Sequence, residues 1–201
     1  MKSESLTQAK ESFKIEARAI LDTLDHMDFE AMGRAVDVMS KCARIATSGC
    51  GHSGIACMHF AHSLCCIERP ARFISPAEAL HGAMGFVQKG DVVVLASRGG
   101  KTAELAPILE ICKKKEAVVV GITENIDSPL AQQSSIVIPM KIHRESDKYN
   151  SQGTSSFVAL SAIFDAIQTA LIEETGYVNE QFALIHPGGA VGERLNKNAD
   201  L

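Results

Sequence analysis

The stretch Val92-Val93-Val94-Leu95-Ala96-Ser97-Arg98-Gly99-Gly100-Lys101-Thr102-Ala103-Glu104-Leu105 decides the fold. Its first five residues are apolar and suit a strand that is buried on both faces, as in a parallel sheet. A polar, glycine-containing loop follows, and from Leu105 to Cys112 the apolar residues recur with helical spacing. Strand, polar loop and helix in this order form the repeating unit of a doubly wound α/β protein.

The same alternation continues along the chain. Strands are predicted at the apolar runs 43–47, 71–74, 92–96, 117–122 and 135–139. Helices are predicted over residues 53–66, 76–82, 102–115, 128–133, 154–175, 179–184 and 191–195. This order predicts an α/β fold, namely a three-layer αβα sandwich with a five-stranded parallel sheet of the flavodoxin-like type.

Two amphipathic helices are predicted ahead of the sheet. Apolar residues recur three and four positions apart at Phe13, Ala17, Ile20, Leu24 and Met27, and then at Phe29, Met32, Val36 and Met39. Asp28 is the expected cap of the second helix. We therefore expect N-terminal helices over residues 1–42 that pack on a single globular unit over residues 43–201.

The composition excludes several classes of protein. The 201 residues are 46% hydrophobic and carry a net charge of −4, which fits one globular domain and gives no electrostatic reason to bind nucleic acid. No segment approaches the roughly 20 apolar residues of a membrane span, and no secretory signal opens the sequence. The six cysteines lack CxxC spacing, which indicates reduced thiols in the cytoplasm.

The first candidate site is the loop Ser48-Gly49-Cys50-Gly51-His52-Ser53-Gly54, which follows a predicted strand and opens a helix. Gly51, His52 and Ser53 are candidate ligands, because a helix N-terminus attracts anions and glycine lets the backbone approach closely. The loop also resembles a dinucleotide fingerprint. That alternative also requires an acidic residue about twenty positions later. The second predicted strand instead ends at Ser75-Pro76, and Glu78 comes late.

The second candidate site is the loop that follows the strand quoted above. Its backbone amides, at Gly99 among others, could hold a phosphate together with the hydroxyls of Ser97 and Thr102 and the cations Arg98 and Lys101. Thr102 is also the expected N-cap of the next helix. A solvated turn is the alternative, but two such loops after two strands favour phosphate binding.

Four further side chains are candidates for chemistry, each with an ordinary alternative. Glu104 lies in a helix's first turn, where it could simply complement the helix dipole. Glu145 lies in the polar stretch 141–152 and could be an exposed loop acid. His81 is equally a helix C-cap or an active-site group. His186 stands before a Pro-Gly-Gly break, where it could be plain loop punctuation.

Together these motifs resemble the sugar isomerase (SIS) domain, and within it the arabinose-5-phosphate isomerase branch. The resemblance covers about residues 43–195. Its matching pieces are Gly49–Gly54, Pro76–Gly82, Ser97–Glu104, Gly121–Thr123 with Ser128–Ala131, Thr154–Ser156 and Phe182–Leu195. The His-Pro-Gly-Gly and Glu-Ala-x-His-Gly elements are specific to this branch.

The resemblance implies an enzyme that interconverts aldose and ketose phosphates through an enediol(ate). Such enzymes are usually homotetramers with active sites shared between subunits. By position, the family's catalytic acids fall on Glu104 and Glu145, one of which would be the proton-carrying base, and His186 would act in ring opening. No cofactor and no metal are expected, although His81 and His186 could meet and bind a metal fortuitously.

The chain departs from this branch at several positions. His52 replaces a lysine, while Gly99 and Lys101 replace a serine and a glutamate of the phosphate loop. Ala83 replaces an aspartate, and the segment 146–153 is unlike the family's. These changes leave the sugar open, pentose or hexose. A non-catalytic phosphosugar sensor is the alternative function, although the N-terminal helices do not resemble a DNA-binding output module. The branch's C-terminal CBS modules are not expected, because the sequence ends soon after Leu195.

Overall fold

A computed structural model describes residues 2–197 and contains a single parallel sheet. Its strands are β1 (Ile45–Gly49), β2 (Ala71–Phe73), β3 (Val92–Ala96), β4 (Val118–Thr123) and β5 (Ile136–Pro139). Their order in the sheet is β2-β1-β3-β4-β5. The direction of winding therefore reverses between β1 and β3, and in such sheets ligands bind at the carboxyl ends of the strands at this point.

Nine α-helices occur in the described part of the chain. They are α1 (Ser3–Asp25), α2 (Phe29–Lys41), α3 (Gly51–Cys65), α4 (Pro76–Ala79), α5 (Ala106–Lys115), α6 (Pro129–Gln133), α7 (Ser155–Thr175), α8 (Asn179–Ile185) and α9 (Gly189–Lys197). Short 3₁₀ turns cover Ala83–Phe86 and Ala103–Leu105.

The two faces of the sheet carry separate cores, which confirms the three-layer sandwich. Val92 and Val94 of β3 face α1, α2, α3 and α7, whereas Val93 and Leu95 face α5. Side chains alternate in this way because successive residues of a strand point to opposite faces. Both sets are fully buried, so β3 is apolar throughout, as a central parallel strand requires.

Several predicted boundaries shift by two or three residues. The first strand, predicted at 43–47, runs to Gly49, because its last residues pair in register with the end of β3. The helix predicted at 76–82 ends at Ala79, and Gly82 takes a positive φ of 101° soon afterwards. The helix predicted from Thr102 begins as a 3₁₀ turn, and α5 starts just ahead of a proline.

The apolar residues that indicate α1 do not form its buried face. Phe13 is 79% exposed and Leu24 is 52% exposed, whereas Ala19 and Thr23 are buried. α1 packs closely on the body through small side chains, and the Thr23 hydroxyl donates a hydrogen bond to the Lys141 carbonyl oxygen at 2.7 Å. The apolar spacing identifies the helix correctly, but much of its apolar stripe faces outward.

α7 corrects the prediction that no segment approaches the length and composition of a membrane span. Within residues 2–197 it is the only helix long and apolar enough, by length and composition alone, to cross a membrane. It packs against α1, α2 and α3, and Phe164 on its inner face stacks on Phe60 with ring centroids 4.2 Å apart. Helices that are buried in a protein core can have the same length and apolar composition, and the packing of α7 is that of a core helix.

Candidate active site

The carboxyl ends of β1 and β3 bring the two glycine loops side by side. Gly49 pairs with Ala96, and a Cβ atom at Gly49 would lie 3.1 Å from the Ala96 carbonyl oxygen. The loop also folds tightly on itself, since a Cβ at Gly54 would lie 2.5 Å from the Gly49 oxygen. These two glycines are therefore required by backbone packing, independently of any ligand.

The first loop presents the N-terminus of a 15-residue helix to the crevice between β1 and β3. Gly51, His52 and Ser53 form the first turn of α3, so their amide groups have no partners within the helix and suit an anion. His52 is exposed but lies against Gly153, where a Cβ would come within 2.9 Å of Nδ1. His52 and Gly153, which both depart from the family pattern, are thus in direct contact.

The second loop is held by its own hydroxyl groups. The hydroxyls of Ser97 and Thr102 lie 2.8 Å apart, and the Gly100 amide donates to Ser97 Oγ at 3.1 Å. Thr102 occupies the predicted N-cap position of the following 3₁₀ turn, but its side chain makes no capping hydrogen bond there. A Cβ at Gly99 would meet no atom within 4 Å, whereas one at Gly100 would lie 2.0 Å from Ser128 Oγ.

Arg98 is already paired with two carboxylates. Its Nε donates to Glu124 at 2.9 Å and its terminal nitrogen donates to Glu145 at 2.7 Å. Glu124 also lies 3.2 Å from the Lys141 ammonium. Burial alone would raise the pKa of Glu124, but hydrogen bonds from Arg98 and Lys141 outweigh it and hold that pKa below its ordinary value. The charge of Arg98 is therefore balanced inside the protein.

Glu145 is buried, contrary to the alternative of an exposed loop acid. It is only 2% exposed. Its Oε2 atom accepts hydrogen bonds from the backbone amides of Thr154 at 2.9 Å and Ser156 at 3.1 Å. Glu145 therefore supplies the N-terminal cap of α7, a role that Thr154 does not fill.

Glu104 and Lys101 are the uncommitted charges of the second loop. Both are exposed, and neither forms an ion pair within residues 2–197. Burial, and then the nearby charge of Glu104, raise the pKa of the Cys50 thiol. Glu104 is therefore near Cys50 of the first loop. α4 packs against the turn that carries Glu104, and His81 is exposed just beyond α4.

His186 directly follows α8, which packs where α3 ends and not at the crevice. α8 is anchored where α3 ends, because Gln181 donates to Glu68 at 2.7 Å and Tyr177 donates to the Cys66 carbonyl oxygen at 2.9 Å. α3 begins at the crevice, and its 15 residues span roughly 22 Å. The His186 ring packs 5.0 Å from that of Phe182, and its buried Nδ1 atom has no partner in the described residues. A single chain therefore does not unite His186 with Glu104.

Two residues of this site, Glu124 and Ser48, are not among the residues predicted from the sequence. Glu124 follows directly after β4, and an acid at the carboxyl end of a strand beside the switch point is the signal that could have identified it. Ser48, at the end of β1, has a buried hydroxyl without a partner in the described structure. Within residues 2–197 no three His, Cys, Asp or Glu side chains are grouped closely enough to hold a metal ion.

Comparison with known proteins identifies the family. The family model of the SIS domain matches residues 38–170. The chain belongs to the SIS domain family. The match includes both glycine loops, the network around Arg98 and most of α7, so the SIS domain contains the whole crevice.

Curated relatives of this SIS domain include arabinose 5-phosphate isomerases. KdsD from Pseudomonas aeruginosa is 37% identical over 152 residues, which cover 76% of this chain and 47% of that protein. GutQ from Salmonella typhimurium is 33% identical over 166 residues, which cover 82% of this chain and 52% of that protein. The chain spans about half the length of the curated relatives it matches.

Solved SIS domain structures match over their full length. A protein from Listeria monocytogenes, described as a proposed sugar-phosphate isomerase, is 38% identical with a TM-score of 0.90 and covers 94% of this chain and 100% of its own. A protein from E. coli CFT073, solved in complex with arabinose 5-phosphate, is 27% identical with a TM-score of 0.87 and covers 93% of this chain and 100% of its own.

Proposed function

We propose that this SIS domain isomerises a sugar phosphate between its aldose and ketose forms, with arabinose 5-phosphate as the first substrate to test. The observation that carries the proposal is the crevice between β1 and β3. Two polar glycine loops suited to an anion meet there beside the carboxylate of Glu104, which forms no ion pair within residues 2–197. The identity to arabinose 5-phosphate isomerases, 37% for the Pseudomonas protein, supports the same reaction.

The phosphate is expected to bind between the loops. The amides of the first turn of α3 provide donors and a favourable helix dipole. On the opposite side of the crevice, the hydroxyls of Ser97 and Thr102 lie 2.8 Å apart, so both could donate a hydrogen bond to the same phosphate. Because Arg98 is paired with Glu124 and Glu145, we assign the cation of the phosphate site to Lys101. His52 and His81 are exposed at the rim and would contact the sugar.

The reaction moves one proton between neighbouring carbons. A carboxylate takes the proton from the carbon next to the carbonyl, and the electron pair of that C–H bond forms the double bond of the enediol(ate). The electron pair of the carbonyl double bond moves onto its oxygen, which takes up a proton. The carboxyl group then returns its proton to the former carbonyl carbon, while the hydroxyl on the first carbon loses its proton and becomes the new carbonyl, so no cofactor is consumed. Ring opening needs a second acid–base group, for which we propose the imidazole of His186.

His186 can fulfil this role only from a second copy of the chain. It follows α8, which is anchored where α3 ends and not where α3 begins at the crevice. Apolar side chains beside His186 are exposed, namely Leu184, Ile185 and Val191. We therefore propose a homo-oligomer, a dimer or a tetramer, in which α8 and α9 of one copy complete the crevice of another.

The cell compartment and other partners are also proposals. All six cysteines are free, as is usual for proteins in a reducing compartment, and we propose a cytoplasmic location. The net charge of −4 supports the proposal that the protein binds neither nucleic acid nor an anionic membrane surface.

The test is solvent exchange during turnover. The purified protein is incubated in deuterated water with arabinose 5-phosphate and with other pentose and hexose phosphates, and the spectrum of the carbon-bound protons is followed by NMR. We expect deuterium next to the carbonyl, together with the isomeric sugar, for one phosphosugar. Tight binding measured by calorimetry, without exchange for any sugar, would instead indicate a phosphosugar sensor and contradict the isomerase.

A further inference from the structure

We propose that Glu104 is the proton-carrying base and that Glu145 is a positioning residue, which acts with Arg98 to fix the second loop against the start of α7. This assignment rests on the proposed isomerase function. It decides between two carboxylates that have equal standing in the sequence, and it makes Arg98 part of the support of the site rather than a ligand of the phosphate.

The hydrogen-bonding capacity of the Glu145 carboxylate is almost filled. Oε1 accepts from Arg98 at 2.7 Å. Oε2 accepts from the amide of Thr154 at 2.9 Å, from its hydroxyl at 3.2 Å and from the amide of Ser156 at 3.1 Å. A carboxylate offers about four lone-pair sites. To take a proton from a sugar carbon, Glu145 would therefore have to give up donors that also hold α7 in place.

The surroundings of Glu145 also separate it from the substrate. The residue is 2% exposed, and its own amide is tied to the Asn150 side chain at 2.7 Å. Glu104 is the opposite case, because it is exposed and accepts no hydrogen bond from another described side chain. A general base must reach the proton it removes, and of the two carboxylates only Glu104 is placed to do so.

Arg98 connects Glu145 to the second loop. Its guanidinium joins Glu124, at the end of β4, to Glu145, after β5. Its carbonyl oxygen accepts from the Thr123 hydroxyl at 3.0 Å and from the Glu124 amide at 2.9 Å. The side chain and the backbone of Arg98 are thus both held by hydrogen bonds. These bonds also fix the position of the second loop on either side of Arg98.

The experiment compares Glu104→Gln, Glu145→Gln and Arg98→Gln, with Glu110→Gln on the exposed face of α5 as the matched control. We expect Glu104→Gln to slow deuterium exchange into the sugar by about 100-fold or more, the range for loss of a general base. Glu145→Gln and Arg98→Gln should instead raise KM several-fold and keep the acid limb of the wild-type pH–rate profile.

A second readout does not depend on turnover. Amide hydrogen exchange at Thr154 and Ser156 should be faster in Glu145→Gln than in the wild type, because the cap of α7 is weakened, and unchanged in Glu104→Gln. The base assignment is overturned if Glu145→Gln abolishes sugar exchange while Glu104→Gln retains it, and the cap assignment if the two amides are unaffected. A wild-type protein inactive on every phosphosugar would overturn the isomerase and the base together, while the amide readout would still decide the role of Glu145.

Discussion

At the residue scale, the two cations of the second loop have different roles. Arg98 is balanced by Glu124 and Glu145, whereas Lys101 is exposed and makes no ion pair within the described residues. One loop thus contains a cation that is paired within the protein, Arg98, and an exposed cation that could pair with a ligand, Lys101. Their residue types alone do not distinguish these roles.

Replacing Lys101 tests the assignment of the phosphate cation. Lys101→Met should weaken binding of a phosphosugar by about 10-fold, since an exposed charge-assisted contact is worth about 1.4 kcal/mol. The dissociation constant is measured by calorimetry, with Lys114→Met at the exposed end of α5 as the control. Equal affinities for Lys101→Met and the wild type would show that Lys101 does not bind the phosphate.

The lowered pKa of Glu124 should make the free energy of unfolding depend on pH. Hydrogen bonds from Arg98 and Lys141 overcome the effect of burial and lower the pKa of Glu124 from its usual 4.5. Its contribution is therefore fully present above the unfolded pKa and is lost as the pH falls through the folded value. Denaturant unfolding between about pH 3 and pH 7 should show Glu124→Gln destabilised at the upper end, with the difference shrinking on acidification. A constant difference would contradict this linkage.

The loops could be predicted from the sequence, but their internal pairing could not. Ser97, Arg98 and Thr102 follow a strand, and the occurrence of a polar loop directly after an apolar strand is a local property of the chain. The partners of Arg98 are 26 and 47 positions away. Which carboxylate it meets depends on the order of β3, β4 and β5 in the sheet, and that order is a tertiary property.

At the element scale, the strands and helices could be predicted because their apolar spacing is strong. The central strand β3 has its predicted bounds, Val92–Ala96. The buried face of α1 could not be predicted, since Ala19 and Thr23 are small and carry little hydrophobic signal, while Phe13 remains exposed. Close packing of α1 on the body favours the small side chains, and a hydrophobicity pattern does not register that preference.

The contact between α3 and α7 predicts a large stability effect. Phe60 and Phe164 stack with an interplanar angle of 8° and are buried, so Phe164→Ala should lower the free energy of unfolding by about 3–5 kcal/mol through the cavity it leaves. Phe13→Ala, at a position 79% exposed, should change it by less than about 0.5 kcal/mol. Chemical denaturation measures both, and a similar cost at the two positions would contradict the assigned core.

At the scale of the whole molecule, the residues of the proposed active site are divided between two regions of one chain. The loops, Glu104 and Glu145 gather at the carboxyl edge of the sheet, whereas His186 follows α8 at the end of α3. The sequence could nominate all three residues, because each lies in a recognisable motif. The proposal that a second copy brings them together rests on the packing of α8.

The most direct test of the proposed shared isomerase site is to mix two variants that should each be inactive, Glu104→Gln and His186→Asn, after unfolding and joint refolding. Each variant alone should isomerise the phosphosugar at least about 100-fold more slowly than the wild type. In mixed dimers one of the two crevices regains both native groups, so random pairing should restore about one quarter of the wild-type activity. A mixture as inactive as its components, or full activity in either variant alone, would contradict a site built from Glu104 of one copy and His186 of another.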